Sequence, residues 1–249
     1  MARYFMELSY RGAPFHGWQS QPNAVSVQSV VGDALSKVLR REMKIVGAGR
    51  TDTGVNARKM VAHFDVPCIG FDFERVVASL NSIVGRDIAV YRIYRVPDSL
   101  HARFDAVSRT YHYYVMGHKS PFAWPFSWQA PASGLDYEMM NRAAAIMLGT
   151  DDFTSFAKLH SDAKTNICRV SEAHWMTLGD DAWVFVISAD RFLRNMVRAV
   201  VGTLVDVGRG KLSVDDFRRI IEKRDRCAAG TSMPPQALFL WDVKYDSID

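Results

Sequence analysis

The chain has 249 residues and carries 31 Lys and Arg against 27 Asp and Glu, for a formal net charge of +4. Apolar residues make up 48% and charged residues 23%, which excludes an intrinsically disordered chain. Only three cysteines are present, which excludes a small disulfide scaffold, and the length accommodates one large domain or two small ones.

Residues 4–10 alternate, with Tyr4, Met6, Leu8 and Tyr10 on one face, and predict a strand. Ser26 is a candidate N-cap for an amphipathic helix carrying Val27, Val30, Val31, Ala34, Leu35, Val38 and Leu39. Met43–Val46 is a short apolar run ending in glycines, and Met60, Ala62, Phe64 and Val66 alternate again. Asp72 can cap a second helix with Val76, Val77, Leu80, Ile83 and Val84 inward, and Ile88–Arg95 predicts a strand. The order is β-α-β-β-α-β, the ferredoxin-like arrangement.

The second half repeats that order loosely. Val107, Arg109, Tyr111, Tyr113 and Val115 share one face of a strand. Gly117–Gly134, rich in Pro and aromatics, reads as a long loop. Asp136 can cap a helix that stops at Gly149 as its C′ residue. Strands follow at about 168–177 and 183–189, helices at about 192–207 and 214–223, and a last strand at about 238–246. The expected fold class is α+β, with two ferredoxin-like units at 1–104 and 105–249, mainly antiparallel sheets and a catalytic cleft between them.

The N-terminus lacks a basic start, apolar core and cleavage site, and no stretch of about 18 uncharged apolar residues exists. A cytoplasmic protein with no membrane contact is expected. Cys68, Cys168 and Cys227 form no C-x-x-C pair, and each reads as a buried small hydrophobe. The seven histidines include no zinc-binding pattern, so neither a metal nor another cofactor is expected.

Residues 47–58, Gly-Ala-Gly-Arg-Thr-Asp-Thr-Gly-Val-Asn-Ala-Arg, place glycines on both sides of a short polar run. That composition suggests a tight loop whose backbone is open to a ligand. Asp52 stands at its centre with Arg50 and Arg58 on either side, and nearby guanidinium groups favour an ionised carboxylate. Such a group suits a nucleophile or an electrostatic stabiliser; a turn aspartate paired to a neighbouring arginine is the alternative. Gly47-x-Gly49-x-x-Asp52 lacks the third glycine of a dinucleotide site, and no Walker-type phosphate loop occurs. Asp52-Thr53-Gly54 spells the aspartic-protease triplet, but it occurs once, without the preceding apolar run, and Arg50 opposes a shared proton.

With these residues in view, the sequence resembles the TruA-type tRNA pseudouridine synthases. Gly49–Ala57 is similar to that family's catalytic motif. Tyr10-Arg-Gly-Ala-Pro-Phe-His-Gly-Trp18-Gln19 resembles its N-terminal signature. His101-Ala-Arg-Phe104 with Arg109-Thr-Tyr111-His-Tyr113 resembles its second motif. Thr150–Phe156 and Phe192–Leu204 resemble its third and fourth. The resemblance implies isomerisation of uridine to pseudouridine in the anticodon stem-loop of tRNA, at positions 38, 39 and 40, by a homodimer without cofactor. It makes Asp52 the nucleophile, Tyr111 the ring packed on the target base, and Arg198 the partner of the aspartate. Arg50, Arg58, Phe104, Arg109, Arg194 and Leu238 are the accompanying substrate-binding candidates. Two departures stand out: Asn56 where the family usually has His, and Thr231-Ser-Met-Pro-Pro-Gln-Ala-Leu238 along one wall of the uridine pocket. A non-catalytic RNA-binding module on the same tandem units is the alternative function, although no RRM-type aromatic strand motif is present.

Helical spacing over 192–207 puts Leu193, Met196, Val197, Val200, Val201 and Leu204 on one stripe. Arg194 and Arg198 fall one turn apart on another face, as a possible row of phosphate contacts. The positive charge is segregated. Residues 40–59 hold six basic and two acidic side chains, residues 92–119 five and two, and residues 191–211 five and one. If these windows converge, they make a basic cleft for RNA.

Overall fold

Alternation and capping in the sequence translate closely into local structure. The computed structural model describes residues 1–67, 70, 72–131, 134–158 and 164–246. Its elements are β1 (Ala2–Tyr10), α1 (Val27–Leu39), β2 (Val46–Gly47), β3 (Asn56–Val66), α2 (Phe73–Ile83) and β4 (Ile88–Arg95). They continue with β5 (Ala106–Met116), β6 (Trp128–Gln129), α3 (Tyr137–Ala145), β7 (Val170–Gly179), β8 (Ala182–Ala189), α4 (Met196–Gly208), α5 (Val214–Lys223) and β9 (Leu238–Tyr245). The class is α+β with mostly antiparallel pairing; β6 lies parallel to β5. No helix among the described residues is long and apolar enough to cross a membrane.

Two compact units form, Met1–Val107 with Leu240–Asp249, and Ser108–Phe239. In the first unit β1 is central. It pairs with β3 from Ala2↔Val66 to Tyr10↔Ala57, and with β4 from Tyr4↔Arg95 to Tyr10↔Ile88. In sequence order β9 closes the second half. Its place beside β3 and the 2.9 Å pair Lys59–Asp242 put the residues from Leu240 onward with the first unit. Ser26 caps α1 by accepting from Ser29 N, and the Ser29 hydroxyl returns to Ser26 in a capping box. Val27, Val31, Ala34 and Leu35 of α1 and Val76 and Leu80 of α2 are buried, as are Phe5, Met6 and Leu8 of β1. Ile83, expected inward, is 46% exposed, because periodicity gives a direction but not how far the covering surface extends along the last turn.

In the second unit β5 pairs with β8, and β8 with β7. Helix α4 is buried nearly all round, from Met196 and Val197 to Val207 and Gly208, as a helix packed on several sides must be. Its start corrects the sequence reading: it begins at Met196, not near 192. Asn195 takes a left-handed φ of 65°, which breaks the helical path, and Met196 N donates to Leu193 O instead. Arg194 therefore precedes the helix and is exposed, and the row with Arg198 one turn away does not form.

Helix α3 also ends early. Its last α-helical residue is Ala145, and Ile146–Gly149 tightens into a 3-10 turn that Thr150 closes by donating to Ile146 O at 3.0 Å. Gly149 is thus no left-handed cap. The 117–134 loop holds a 3-10 turn at Trp124–Phe126 and strand β6, with residues 132–133 outside the described set. Cys168 is buried, and burial pushes its thiol up to about 12, whereas Cys227 is exposed, contrary to expectation. Cys68 lies outside the described residues.

Replacing Ser26 with Ala removes the side-chain half of the capping box, the acceptor for Ser29 N, and leaves the backbone half from Ser26 N to Ser29 Oγ. We expect a loss of about 1 kcal/mol, read as a lower urea midpoint with an unchanged slope.

Candidate active site

The Asp52 loop is shaped by the chain's own N-terminal signature. Thr51 is buried, and its hydroxyl shares a 2.8 Å hydrogen bond with Tyr10 OH. Its carbonyl accepts Trp18 N at 3.2 Å. Gly17 sits directly against that carbonyl: a Cβ there would lie 2.3 Å from Thr51 O, and its φ of +82° disfavours any side chain. Val55 N donates to Asp52 O at 3.1 Å, and Gly54 N to Phe15 O at 3.4 Å, which closes the turn after the aspartate. The Trp18 indole is buried flat against Gly47, leaving no room for a side chain. Asp52 is half-exposed at the loop's centre, while Arg50 and Arg58 are exposed. Asn56 is buried and accepts Gly12 N at 2.8 Å, so this departure serves as a brace between the signature and the loop.

A second construction in the first unit was not legible from spacing. His63 of β3 stands opposite Phe5 and is 5% exposed. Its Nδ1 accepts Ala102 N at 3.1 Å, and its ring meets His101 edge-on at 4.5 Å. His101 in turn stacks on Phe104 at 4.3 Å and 28°, while its Nδ1 faces the N–H groups of Arg103 and Phe104 at 3.1 and 3.3 Å. Tyr245 OH donates to Ala102 O at 2.6 Å, and His101 N to Asp105 Oδ2 at 2.6 Å. Burial, then Arg3 and His101, hold His63 down at about 4 against the pull of Asp65. Burial and Arg3 likewise lower His101. Phe104 itself is 74% exposed, with the Arg103 guanidinium 5.7 Å from its ring.

The second unit carries the other candidates. Tyr111 lies on β5 opposite Ile187, half-exposed, with Phe192 edge-on at 5.0 Å. Tyr113, two residues on, is fully buried and donates to Pro234 O at 3.2 Å. Burial raises its hydroxyl's proton affinity, and nearby Arg198 opposes that shift. Arg109 is turned to the backbone, donating to Asp190 O at 2.7 Å. Arg198 and Met233 clasp each other: Met233 N donates to Arg198 O, and Arg198 Nε to Met233 O. Gly202 lets the same strap approach, since a Cβ there would fall 1.8 Å from Thr231 O. Asn195 and Arg226 both donate to Ser232 Oγ, at 2.6 and 3.0 Å. Leu238, 4% exposed, follows the 3-10 turn Pro235–Ala237.

The departing segment is therefore held to α4 by the two Arg198–Met233 bonds and the close approach of Thr231 to Gly202, and to Asn195 just before the helix through Ser232. Asp52, Arg50, Arg58 and Phe104 belong to the first unit, and Tyr111, Arg109, Arg194, Arg198 and Leu238 to the second. The sequence reading missed the bracing roles of Gly17 and Trp18, the histidine pair, and Asn195. Of these, only the glycine next to an aromatic in a polar stretch gave a local signal.

Residues 143–246 match the family model described as tRNA pseudouridine synthase. The chain is 52% identical over 243 residues to the tRNA pseudouridine synthase A of Bacteroides fragilis, covering 98% of this chain and 96% of that one. It is 53% identical over 249 residues to the protein of the same name from Porphyromonas gingivalis, covering 99% and 98%. With its namesake in Bacillus pumilus the identity is 37% over 244 residues, covering 96% and 98%.

The histidine pair makes an acid-sensitivity prediction. A depressed folded-state value means that His63 stabilises fully above its ordinary 6.5, and that this stability is lost as pH falls towards 4. Protonation would place a cation beside Arg3 and remove the acceptor for Ala102 N. Urea titrations at pH 7, 5.5 and 4.5 should show falling stability, and His63→Gln should be less stable at pH 7 yet show a shallower decline. His112, also held near 4 by burial, supplies a further part of the slope.

Proposed function

The chain belongs to the tRNA pseudouridine synthase A family, and from that membership we propose that it isomerises uridine to pseudouridine in the anticodon stem-loop of tRNA, at positions 38, 39 and 40, with Asp52 as the nucleophile. The observation that carries the reading is the Asp52 loop. Its backbone is fixed on both sides by Thr51 and Val55, while the carboxylate-bearing residue itself is left half-exposed. A reacting group held this way loses little entropy on meeting its substrate.

The reaction breaks the N1–C1′ bond of uridine, turns the uracil, and joins C5 to C1′. The C5 proton leaves and N1 gains one, so the composition is unchanged and no oxidant or group donor enters the balance. The target uridine must leave its stack to be reached. Tyr111, a half-exposed ring supported edge-on by Phe192, suits packing against the extruded base. Arg198, whose Nε is committed to Met233, is held as the cation of the pocket, a role drawn from the resemblance. Action as a homodimer rests on the same resemblance, and beside it we propose ferredoxin-like units, drawn from the element order, and a cytoplasmic location.

Part of the basic charge is already spoken for. Lys59, Arg92 and Arg95 pair with Asp242, Glu7 and Asp98, and Arg209 and Lys211 share Asp206. Exposed Arg50 and Arg58 are the better phosphate contacts.

Unmodified tRNA incubated with the protein should yield pseudouridine, read as alkali-resistant carbodiimide adducts, and Asp52→Asn should yield none; equal product from the variant overturns the assignment. Binding of Asp52→Asn to tRNA should weaken steeply with salt. Arg50→Ala and Arg58→Ala should each reduce the log–log salt slope by about 1.

A further inference from the structure

Phe104 is a large apolar ring, 74% exposed, at the tip of the His101–Asp105 turn. A lone exposed phenylalanine on a mobile loop calls for no explanation. This one is built differently. Its inner face lies on His101, whose ring meets His63, which packs 6.4 Å from Phe5 in the sheet. The turn beneath it is held by five hydrogen bonds: Ala102 N to His63, Tyr245 OH to Ala102 O, His101 N to Asp105, and the Arg103 and Phe104 N–H groups to His101 Nδ1. So much ordering spent on an exposed ring fits a surface prepared for a ligand, because the entropy of fixing the side chain is already lost before binding.

Resting on the reading of the chain as a tRNA-modifying enzyme, we propose that the outer face of Phe104 is a stacking platform for one unpaired base of the RNA, with His101 and His63 as the positioning residues beneath it. A nucleobase is the ligand whose shape and chemistry match. It is a flat π-surface of the ring's size, and the Arg103 guanidinium, already over the ring at 5.7 Å, shows that the ring accepts a flat cationic partner, an arrangement single-stranded nucleic-acid sites also use. Both histidines are held below their ordinary values by burial, so the underlay stays uncharged and packed at neutral pH. Stacking reads the presence of an open base and not its identity. The platform would therefore select an unpaired position without restricting the sequence there.

The test combines affinity, salt dependence and a base-specific probe. Phe104→Ala should weaken binding of uridine-bearing stem-loop RNA about 10- to 100-fold, and Phe104→Trp should retain it within about threefold. Because stacking displaces no counterions, the salt slope of Phe104→Ala should match wild type, unlike that of Arg50→Ala. With the affinity loss, KM should rise and kcat change little, and the melting temperature should hold because the ring is exposed. In the Asp52→Asn background, 2-aminopurine placed at successive loop positions should show one position whose fluorescence changes on binding, and that change should vanish in Asp52→Asn/Phe104→Ala. Unchanged affinity, an altered salt slope, or no such position overturns the proposal. So does a loss of affinity that tracks dissociation of a protein dimer in sedimentation, which would make the ring a contact between copies. Pseudouridine formation by wild type is scored separately: its absence defeats the functional reading itself, whereas its presence with an inert Phe104→Ala defeats only the platform.

Discussion

Thr51 is the fixed point of the loop that carries Asp52. Three interactions converge on this single buried residue: its hydroxyl with Tyr10, its carbonyl with Trp18 N, and the same carbonyl in van der Waals contact with Gly17. The first comes from the end of β1 and the other two from the segment that follows it, so the strand and the signature both hold the loop. The neighbouring Asp52 inherits a backbone position it does not itself pay to hold. Gly17 is the element that cannot be exchanged, because a methyl group would have to displace a peptide carbonyl and the residue would also have to adopt a left-handed backbone. The buried Asn56–Gly12 bond closes the same arrangement from the far side of the loop.

The second unit uses the same device with different parts. There the clamped segment is Thr231–Pro235 and the clamp is α4, through Asn195, Arg198 and Gly202. Arg198 shows why an arginine suits this position. Its Nε donates to a main-chain carbonyl with the fixed geometry of a planar guanidinium, which a lysine ammonium, a flexible point of charge, does not reproduce. Tyr113 completes the fixation from the sheet by bonding Pro234 O. Tyr111, two residues earlier on the same strand, keeps a half-exposed ring.

Much of this was written locally in the sequence. The caps at Ser26, Asp72 and Asp136, the alternation of β1 and β3, and the span of β4 follow from side-chain pattern and capping chemistry within a few residues. The misses share a cause: each was decided by a partner distant in sequence or by a backbone state that residue type does not dictate. Asn195 adopts a left-handed conformation that continuous helical spacing through 192–207 conceals, and its side chain reaches Ser232. Gly149 has the residue type of a terminator, yet the helix tightens three residues before it, at Ile146. His63 reads as one more residue of an apolar strand until its partner 39 residues later is known. The candidate aspartate could be singled out because its loop is a compact motif. The braces that hold it were not, because they act across the fold.

The place of β9 also bears on the order in which the chain matures. During synthesis residues 1–107 emerge long before residue 240, so β3 leaves the ribosome without the neighbour that later covers its outer edge; only the two-residue β2 is on hand to pair there. An uncovered strand edge is a template for wrong partners, and the wait lasts for the synthesis of the whole second unit. Lys59, a charged residue on β3, has its partner Asp242 at 2.9 Å only once β9 is in place. The strand beside β3 is thus made only after the second unit's residues, which ties completion of the Asp52-bearing unit to synthesis of that second unit.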